Sequence, residues 1–507
     1  MKNLQIILAA ALARSVTGSP AAEPISVCCN TLAHELPTIF HGPVSPEYNG
    51  LVQARWSGTS MLRPACIVTP TSAGDVSRTI RILTRHGCRF AVKGGGHNAN
   101  PGANSINGGV SIDLRGLGAA HIARDRSHVS LGAGLTWGRA YDLFNNSGIG
   151  FPGGVCEGVG VGGVSLGGGQ SLFQAKMGWV VDNILEYQLV LASGKIVTAS
   201  QRQRPDLFKA LKGGNTNFGI VTRVKIVAFD FPAMWSGQVV SSIDHGPSNR
   251  SAMLDSVSHT MVNFVTDNNK DVDSEVQLAM TYLRNNGGQV ASAAISNVAD
   301  VANPPSLRGF STLPNQVSYT ARHGKIADFT HQLSRFQPTG FRQVTAGVTI
   351  TNDFETLRHI WDASDEVYNS LPQKDKVDWI VVLFPQPVIQ QAYSEKRGGN
   401  SLGLSKNKED QIVVWLASRW SDPNLDGMME QARRDFVKAT VAVAKKHKTY
   451  SPFLYINYAG PDQDPLCGYG AQTVAFLKRT AEKYDPNGVF QKLMPGGFKV
   501  SQAKCAR

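Results

Sequence analysis

From Gly153 to Gly169, nine of seventeen residues are glycine, in the run GGVCEGVGVGGVSLGGG. Backbone without Cβ atoms can approach other backbone, or a flat ligand, more closely than a substituted chain can. Here the glycines alternate with Val, Cys and Leu rather than with the polar residues of a flexible linker, which marks a packed segment. A second cluster, Lys93-Gly94-Gly95-Gly96-His97-Asn98, directly follows the strand-like Phe90-Ala91-Val92. Successive glycines can turn their N–H groups inward as an anion-binding nest suited to a pyrophosphate. Gly158, Gly160 and Gly163 also satisfy the dinucleotide spacing G-x-G-x-x-G, with Asp182 about 20 residues further on. A nicotinamide Rossmann site is excluded nonetheless. The preceding IGFPGG contains Pro152 and makes no buried strand, and Gly167–Gly169 break the helix that would have to follow.

A chain of 507 residues leaves room for two or three packed units, and 42% hydrophobic with 17% charged residues places it among ordered proteins. The net charge of +12 is spread along the chain with no run of five cations, which argues against a nucleic-acid partner. The start combines Lys2 with the apolar run Leu4–Ala13 and small residues beyond, the layout of a cleavable signal peptide over 1–18. No later apolar stretch reaches the ~18 residues of a membrane span, so a soluble protein of the secretory pathway is expected. An oxidising compartment lets some of the seven cysteines pair: either Cys28 or Cys29 could staple the N-terminal arm to Cys66, with Cys29–Cys66 the pairing adopted, and one cysteine must stay unpaired or bond to something else. Glycosylation sequons occur at Asn145 and Asn249. No metal site is expected.

The organisation is mixed α and β. TSAGDVSRTIRILTRHG reads as a helix with Val76, Ile80 and Leu83 on one face, closed near Gly87, followed by strands through Phe90 and Val92 and through Val110, Ile112 and Leu114. HVSLGA reads as a strand leading to a helix around Trp137, Ala140, Tyr141 and Phe144. Ile184–Leu191 and Lys195–Thr198 flank the turn Ser193-Gly194, predicting an antiparallel ribbon. Glycine density drops near Phe231, where SEVQLAMTYL and a long helix over Asp426–Lys446 suggest a second unit. The tail from Pro452 reads as a strand FLYINYA, a turn-rich PDQDPLCGYG, a helix around Val474, Leu477 and Ala481, and a turn at Asp485–Gly488.

Six motifs in order, PACIVTPTSAGDVS, VKGGGHNANPG, GGVCEGVGVGGVSLGGG, GGNTNFGIVTRV, LYINYAGP and KYDPNGVFQK, make the chain resemble the FAD-linked oxidases of the berberine bridge enzyme-like branch of the vanillyl-alcohol oxidase superfamily, fungal secondary-metabolite members in particular. The resemblance covers Cys29 to about Thr222 and returns at Phe453–Lys499. It implies an α+β fold: a two-part FAD-binding domain over 24–231 and 451–507, and, over 232–450, an inserted substrate domain built on an antiparallel sheet covered by helices. It places His97 where relatives bond an imidazole nitrogen to the flavin 8α carbon, and Cys156 where doubly tethered relatives add a link to flavin C6, although Glu157 replaces the Pro common beside it. Lys93, Gly94, Gly95, Gly96, Asn98, Gly158, Gly160, Gly163, Asn217, Gly219, Ile220 and Asn457 are expected around the cofactor. Val159 takes the position thought to gate oxygen. Tyr458 matches the active-site tyrosine, a base only if its ordinary pKa of about 10 is lowered. The carboxylate or amide that often partners it is missing from the apolar Ile412–Trp415, leaving Asp410 or Gln411 as substitutes.

The activity so implied is a secreted, covalently flavinylated oxidase. It moves a hydride from a small secondary metabolite to flavin and passes the electrons to O2, in an alcohol oxidation, desaturation or oxidative cyclisation. A carbohydrate oxidase and a non-catalytic flavin-bearing protein are the alternatives. Substrate, pathway and oligomeric state are not legible.

Overall fold

Ser72 starts the helix Ala73–His86 by accepting the Asp75 N–H while the Asp75 side chain returns to the Ser72 N–H, a capping box, and Gly87 ends it in a left-handed turn at φ 64°. The computed structural model describes residues 24–503 and Cys505, so the signal-peptide expectation lies outside the described residues. Val76, Ile80 and Leu83 are buried, as the spacing predicts. That helix links two strands of a four-stranded sheet ordered Phe40–His41, Cys66–Val68, Val110–Asp113, Phe90–Lys93. The last three strands are parallel, joined by long crossovers, the helix Ala73–His86 in one case and the loop 94–109 in the other. Beside it lies an antiparallel five-stranded sheet, ordered Ala120–Ile122, His128–Gly132, Ile220–Val227, Ile184–Val190, Ile196–Ser200. Its Ile184–Ser200 ribbon turns at Gly194, φ 77°, as expected.

A larger antiparallel sheet runs Gln316–Tyr319, Met234–Ser242, Gln289–Asn297, Ser274–Tyr282, Trp379–Gln386, Gln411–Leu416, Ala346–Thr351 and Tyr450–Ser451, with Arg322–Gly324 also paired to Met234–Ser242. Strand alternation splits its side chains between two cores. Ile412, Val414 and Leu416 pack under the helices Arg250–Asp267, Phe354–Asn369 and Asp426–Lys446, whereas Val413, Trp415 and Phe384 face the smaller sheets and join their core. The tail returns to that first core through Phe453, Leu477 and Phe490. The fold is therefore the expected α+β arrangement, two smaller sheets completed by the tail and faced by a larger antiparallel sheet.

One expected element is absent. Residues 452–459 form no strand: the Tyr458 N–H donates to the Tyr455 carbonyl, closing a turn. Tyr455 and Tyr458 therefore meet edge to face at 4.7 Å instead of facing opposite sides. The cysteines pair as Cys29–Cys66, the adopted pairing, together with Cys28–Cys88 and Cys467–Cys505, leaving Cys156 free and buried. Asn249 is exposed and caps the helix Arg250–Asp267, while Asn145 is half-buried with its amide oxygen enclosed. Among the described residues no helix is long and apolar enough to cross a membrane.

Candidate active site

The two glycine clusters interlock. A Cβ on Gly95 would lie 2.4 Å from the Gly160 nitrogen, and one on Gly160 would lie 2.3 Å from the Gly95 nitrogen, so each loop reaches its place only because the other lacks a side chain. Together they floor a cavity of about 230 Å³. Gly163, on the short helix Val161–Gly167, lines it with nothing within 4 Å of where its Cβ would stand. That clearance is what a flat cofactor lying on backbone needs.

His97 and Cys156 both line this cavity. The His97 imidazole stacks on Trp56 with centroids 4.2 Å apart and 11° between planes. Burial brings its pKa down to about 4, so the ring is neutral and its nitrogen lone pair free. Burial pushes the Cys156 thiol up to about 12 and Tyr458 well above its ordinary value. The Tyr458 ring lies on Trp415 at 4.2 Å and 12°, and its hydroxyl donates to Gln170 Oε1 at 2.9 Å. Gln170 Nε2 is buried and finds no partner among the described residues. Asn457 Nδ2 donates to the Tyr455 hydroxyl, which also accepts the Gly169 N–H, both at 2.9 Å.

The structure gathers Gly94, Gly95, Gly96, His97, Asn98, Cys156, Val159, Gly160, Gly163, Gly219, Ile220, Asn457 and Tyr458 around this one cavity. Five other expected site residues do not line it. The Lys93 ammonium sits inside the fold, 3.4 Å from Asp113 and bonded to the Gly94 carbonyl. Asn217 is fully buried and ties the tail in place, donating to the Gly214 and Phe498 carbonyls and accepting the Val500 N–H. Gly158 lies at the surface beside the His97 ring, its Cβ position 3.6 Å from Cδ2. Asp410 accepts from Asn269 and the Val388 N–H, and Gln411 donates to Ser451, both beyond the cavity wall. A register shift therefore supplies no carboxylate partner for Tyr458.

Sequence reasoning missed the rest of the lining: Trp56, Gln170, Gln277, Gln337, Thr345, Phe384 and Trp415 among it. Gln277 and Trp415 were accessible signals, since each is an inward position of a strand whose alternate residues are apolar core. No Asp, Glu, Lys or Arg side chain lines the cavity among the described residues.

A family model described as an FAD binding domain matches residues 64–200. An FAD-dependent monooxygenase of Cochliobolus heterostrophus is 34% identical over 472 residues, which is 91% of this chain and 90% of that protein. The chain belongs to the family of these FAD-dependent oxidoreductases. An FAD-dependent monooxygenase of Emericella nidulans is 30% identical over 94% of this chain and 99% of its own length. Solved structures with the same fold include 6-hydroxy-D-nicotine oxidase of Arthrobacter nicotinovorans, with TM-score 0.73, 21% identity, and 89% of this chain and 96% of that one covered. Another is the glucooligosaccharide oxidase of Acremonium strictum, whose FAD is 6-S-cysteinyl and 8α-N1-histidyl, with TM-score 0.73, 17% identity, and 96% and 100% covered. This family member is an FAD oxidoreductase. The interlocked glycine floor, the open space at Gly163 and the unpartnered Gln170 amide fit that cofactor.

Proposed function

We propose that this enzyme is a secreted oxidase of a small, neutral, partly aromatic metabolite, working through FAD tethered covalently by His97 and a second time by Cys156. When bound, FAD supplies the hydride acceptor and the route for electrons to O2. His97, neutral and unprotonated, and Cys156 line the same cavity above the glycine floor, as two tethers to one ring system require. The cysteinyl-histidyl FAD of the Acremonium strictum oxidase is a precedent for that pair. Val159 is half-buried in the floor, where a small side chain leaves oxygen a path. Three disulfides and the leader-like start support the secretory pathway. The domain boundaries we adopt are near residues 231 and 451.

The observation that carries the reading is the pairing of Tyr458 with Gln170 in the same cavity that His97 and Cys156 line. With its proton given to Gln170 Oε1, the Tyr458 oxygen turns its lone pairs to the cavity and accepts a hydrogen bond from a substrate hydroxyl or amine. Because burial holds the phenol protonated and no cation lines the cavity, Tyr458 positions the reacting C–H instead of standing ready as a phenolate. Phe384, Trp415 and Trp56 supply flat apolar walls, and Gln277, Gln337 and Thr345 supply neutral polar contacts, a lining that suits an uncharged ring system.

The test is a metabolite and sugar panel scored for anaerobic flavin bleaching and for peroxide formed per product. One peroxide per product is expected. Incorporation of one oxygen atom from O2 into the product would make it a monooxygenase like its named relatives. Bleaching by no compound would favour a flavin-bearing binding protein. Tyr458→Phe is expected to slow flavin reduction at least about tenfold with flavin content unchanged. The wild-type rate is expected to stay flat over roughly pH 6 to 9, below the ordinary tyrosine pKa, whereas a rate climbing tenfold per pH unit would mark a phenolate base.

A further inference from the structure

Trp56 is buried at 6% exposure and fixed on three sides. Its N–H donates to the Gly96 carbonyl at 3.1 Å, its indole N–H donates to the Gln337 carbonyl at 3.3 Å, and its own carbonyl accepts from Gln343 Nε2 at 3.5 Å. Gly96 belongs to the His97 loop, whereas Gln337 and Gln343 belong to the inserted unit. The indole face lies flat on the His97 imidazole. Among the described residues no neighbouring side chain hydrogen-bonds the His97 ring nitrogens; beside a hydrogen bond to the residue's own backbone, the stacking plane on Trp56 orients them. The far edge of the ring passes the bare backbone of Gly158, which leaves it unhindered there.

We propose that Trp56 is the positioning residue for covalent flavin attachment: stacking aligns the His97 nitrogen with the carbon it attacks, and the Gln337 hydrogen bond makes that alignment depend on the docked inserted unit. The inference rests on the tether assigned to His97 above. In the step itself one C–H bond of the flavin 8α methyl breaks and an N–C bond to His97 forms. The methyl hydrogen and the imidazole N–H leave as protons, and the two electrons released pass to O2, which with the two protons becomes peroxide. Trp56 takes no part in bond making. It restricts the ring's rotation and excludes water from one face, which raises the share of time spent in a productive geometry.

The experiment uses the full-length chain with Trp56→Phe, Trp56→Tyr and Trp56→Leu variants and FAD itself as probe. Two quantities are read: total flavin in the native protein, and the fraction remaining on the polypeptide after acid precipitation, followed over time after FAD is added to flavin-depleted protein. A stacked aromatic pair contributes enough to expect attachment in Trp56→Leu to be about three- to tenfold slower, with native FAD content retained. Phe and Tyr, which keep a flat face but not the indole N–H, should fall between Leu and wild type. A purely structural role would lower total flavin and attachment together, and would not rank the aromatic variants above Leu. Equal attachment rates across the series overturn the proposal, and the Phe and Tyr variants decide it even if Trp56→Leu yields no folded protein. A wild-type protein with no flavin on the His97 peptide overturns both the proposal and the tether reading. Flavin on His97 together with a flat series overturns only the proposal.

Discussion

Gly163→Ala separates a glycine kept for the fold from one kept for the ligand. In the protein alone the substitution is favourable: Gly163 lies inside the helix Val161–Gly167, its φ is not positive, and a Cβ there meets nothing within 4 Å. Replacing a helical glycine by alanine should raise stability by about 0.5–1 kcal/mol. The open space is the cavity itself, so with FAD bound the methyl presses into the ligand. An overpacked methyl costs about 1–3 kcal/mol, or roughly 5- to 150-fold in affinity. Gly95→Ala is the contrast. Its Cβ would sit 2.4 Å from the Gly160 nitrogen and 2.6 Å from its Cα, backbone that cannot swing aside, so the fold itself should lose about 1–3 kcal/mol. The assay is FAD titration and thermal unfolding in a His97→Ala, Cys156→Ser background, where binding is reversible. Opposite shifts in Gly163→Ala, a higher Tm without FAD and weaker FAD binding, are expected. Unchanged affinity would refute the placement of the cofactor against this helix.

Glu275 is 4% exposed with Oε2 unpartnered, and burial raises its pKa well above 4.5. A raised folded-state pKa adds stability below the unfolded value that is lost as pH rises towards the folded one, so the Tm advantage of Glu275→Gln over wild type should grow from pH 5 to pH 8 (a span of roughly three units above the ordinary carboxyl value). With the Cys156 thiol pushed up to about 12 and the other described cysteines in disulfides, iodoacetamide should label flavin-free protein only after denaturation, at Cys156. Labelling of the native protein would mean the thiol is open or ionised. Val159→Leu should slow reoxidation of the reduced flavin by O2 in stopped flow while leaving its reduction by substrate within about twofold. Equal slowing of both half-reactions would make Val159 a packing residue.

Local chemistry accounts for what the sequence by itself determined. The helix at Ala73–His86 is legible because a capping box and a C-terminal glycine are nearest-neighbour signals, and the Gly194 turn because two strand patterns meet across two residues. The glycine clusters announce close approach because no other residue permits it, and the order of the motifs announces the family. Only the tertiary structure decided what each glycine approaches: Gly95 and Gly160 meet each other, whereas Gly163 meets the cavity. It also decided that Lys93 serves Asp113 and that Asn217 serves the tail, because buried donors and acceptors are satisfied by whatever distant segment the fold brings to them. Tyr455–Tyr458 has strand-like composition but closes a turn, its backbone bonding locally while the Gln463 side chain takes the Gly347 N–H on the adjacent strand edge. The cavity wall of Gln277, Phe384 and Trp415 comes from three strands more than a hundred residues apart end to end. Their shared inward face follows from sheet register, which pairs residues across the whole inserted unit and leaves no trace at any single position.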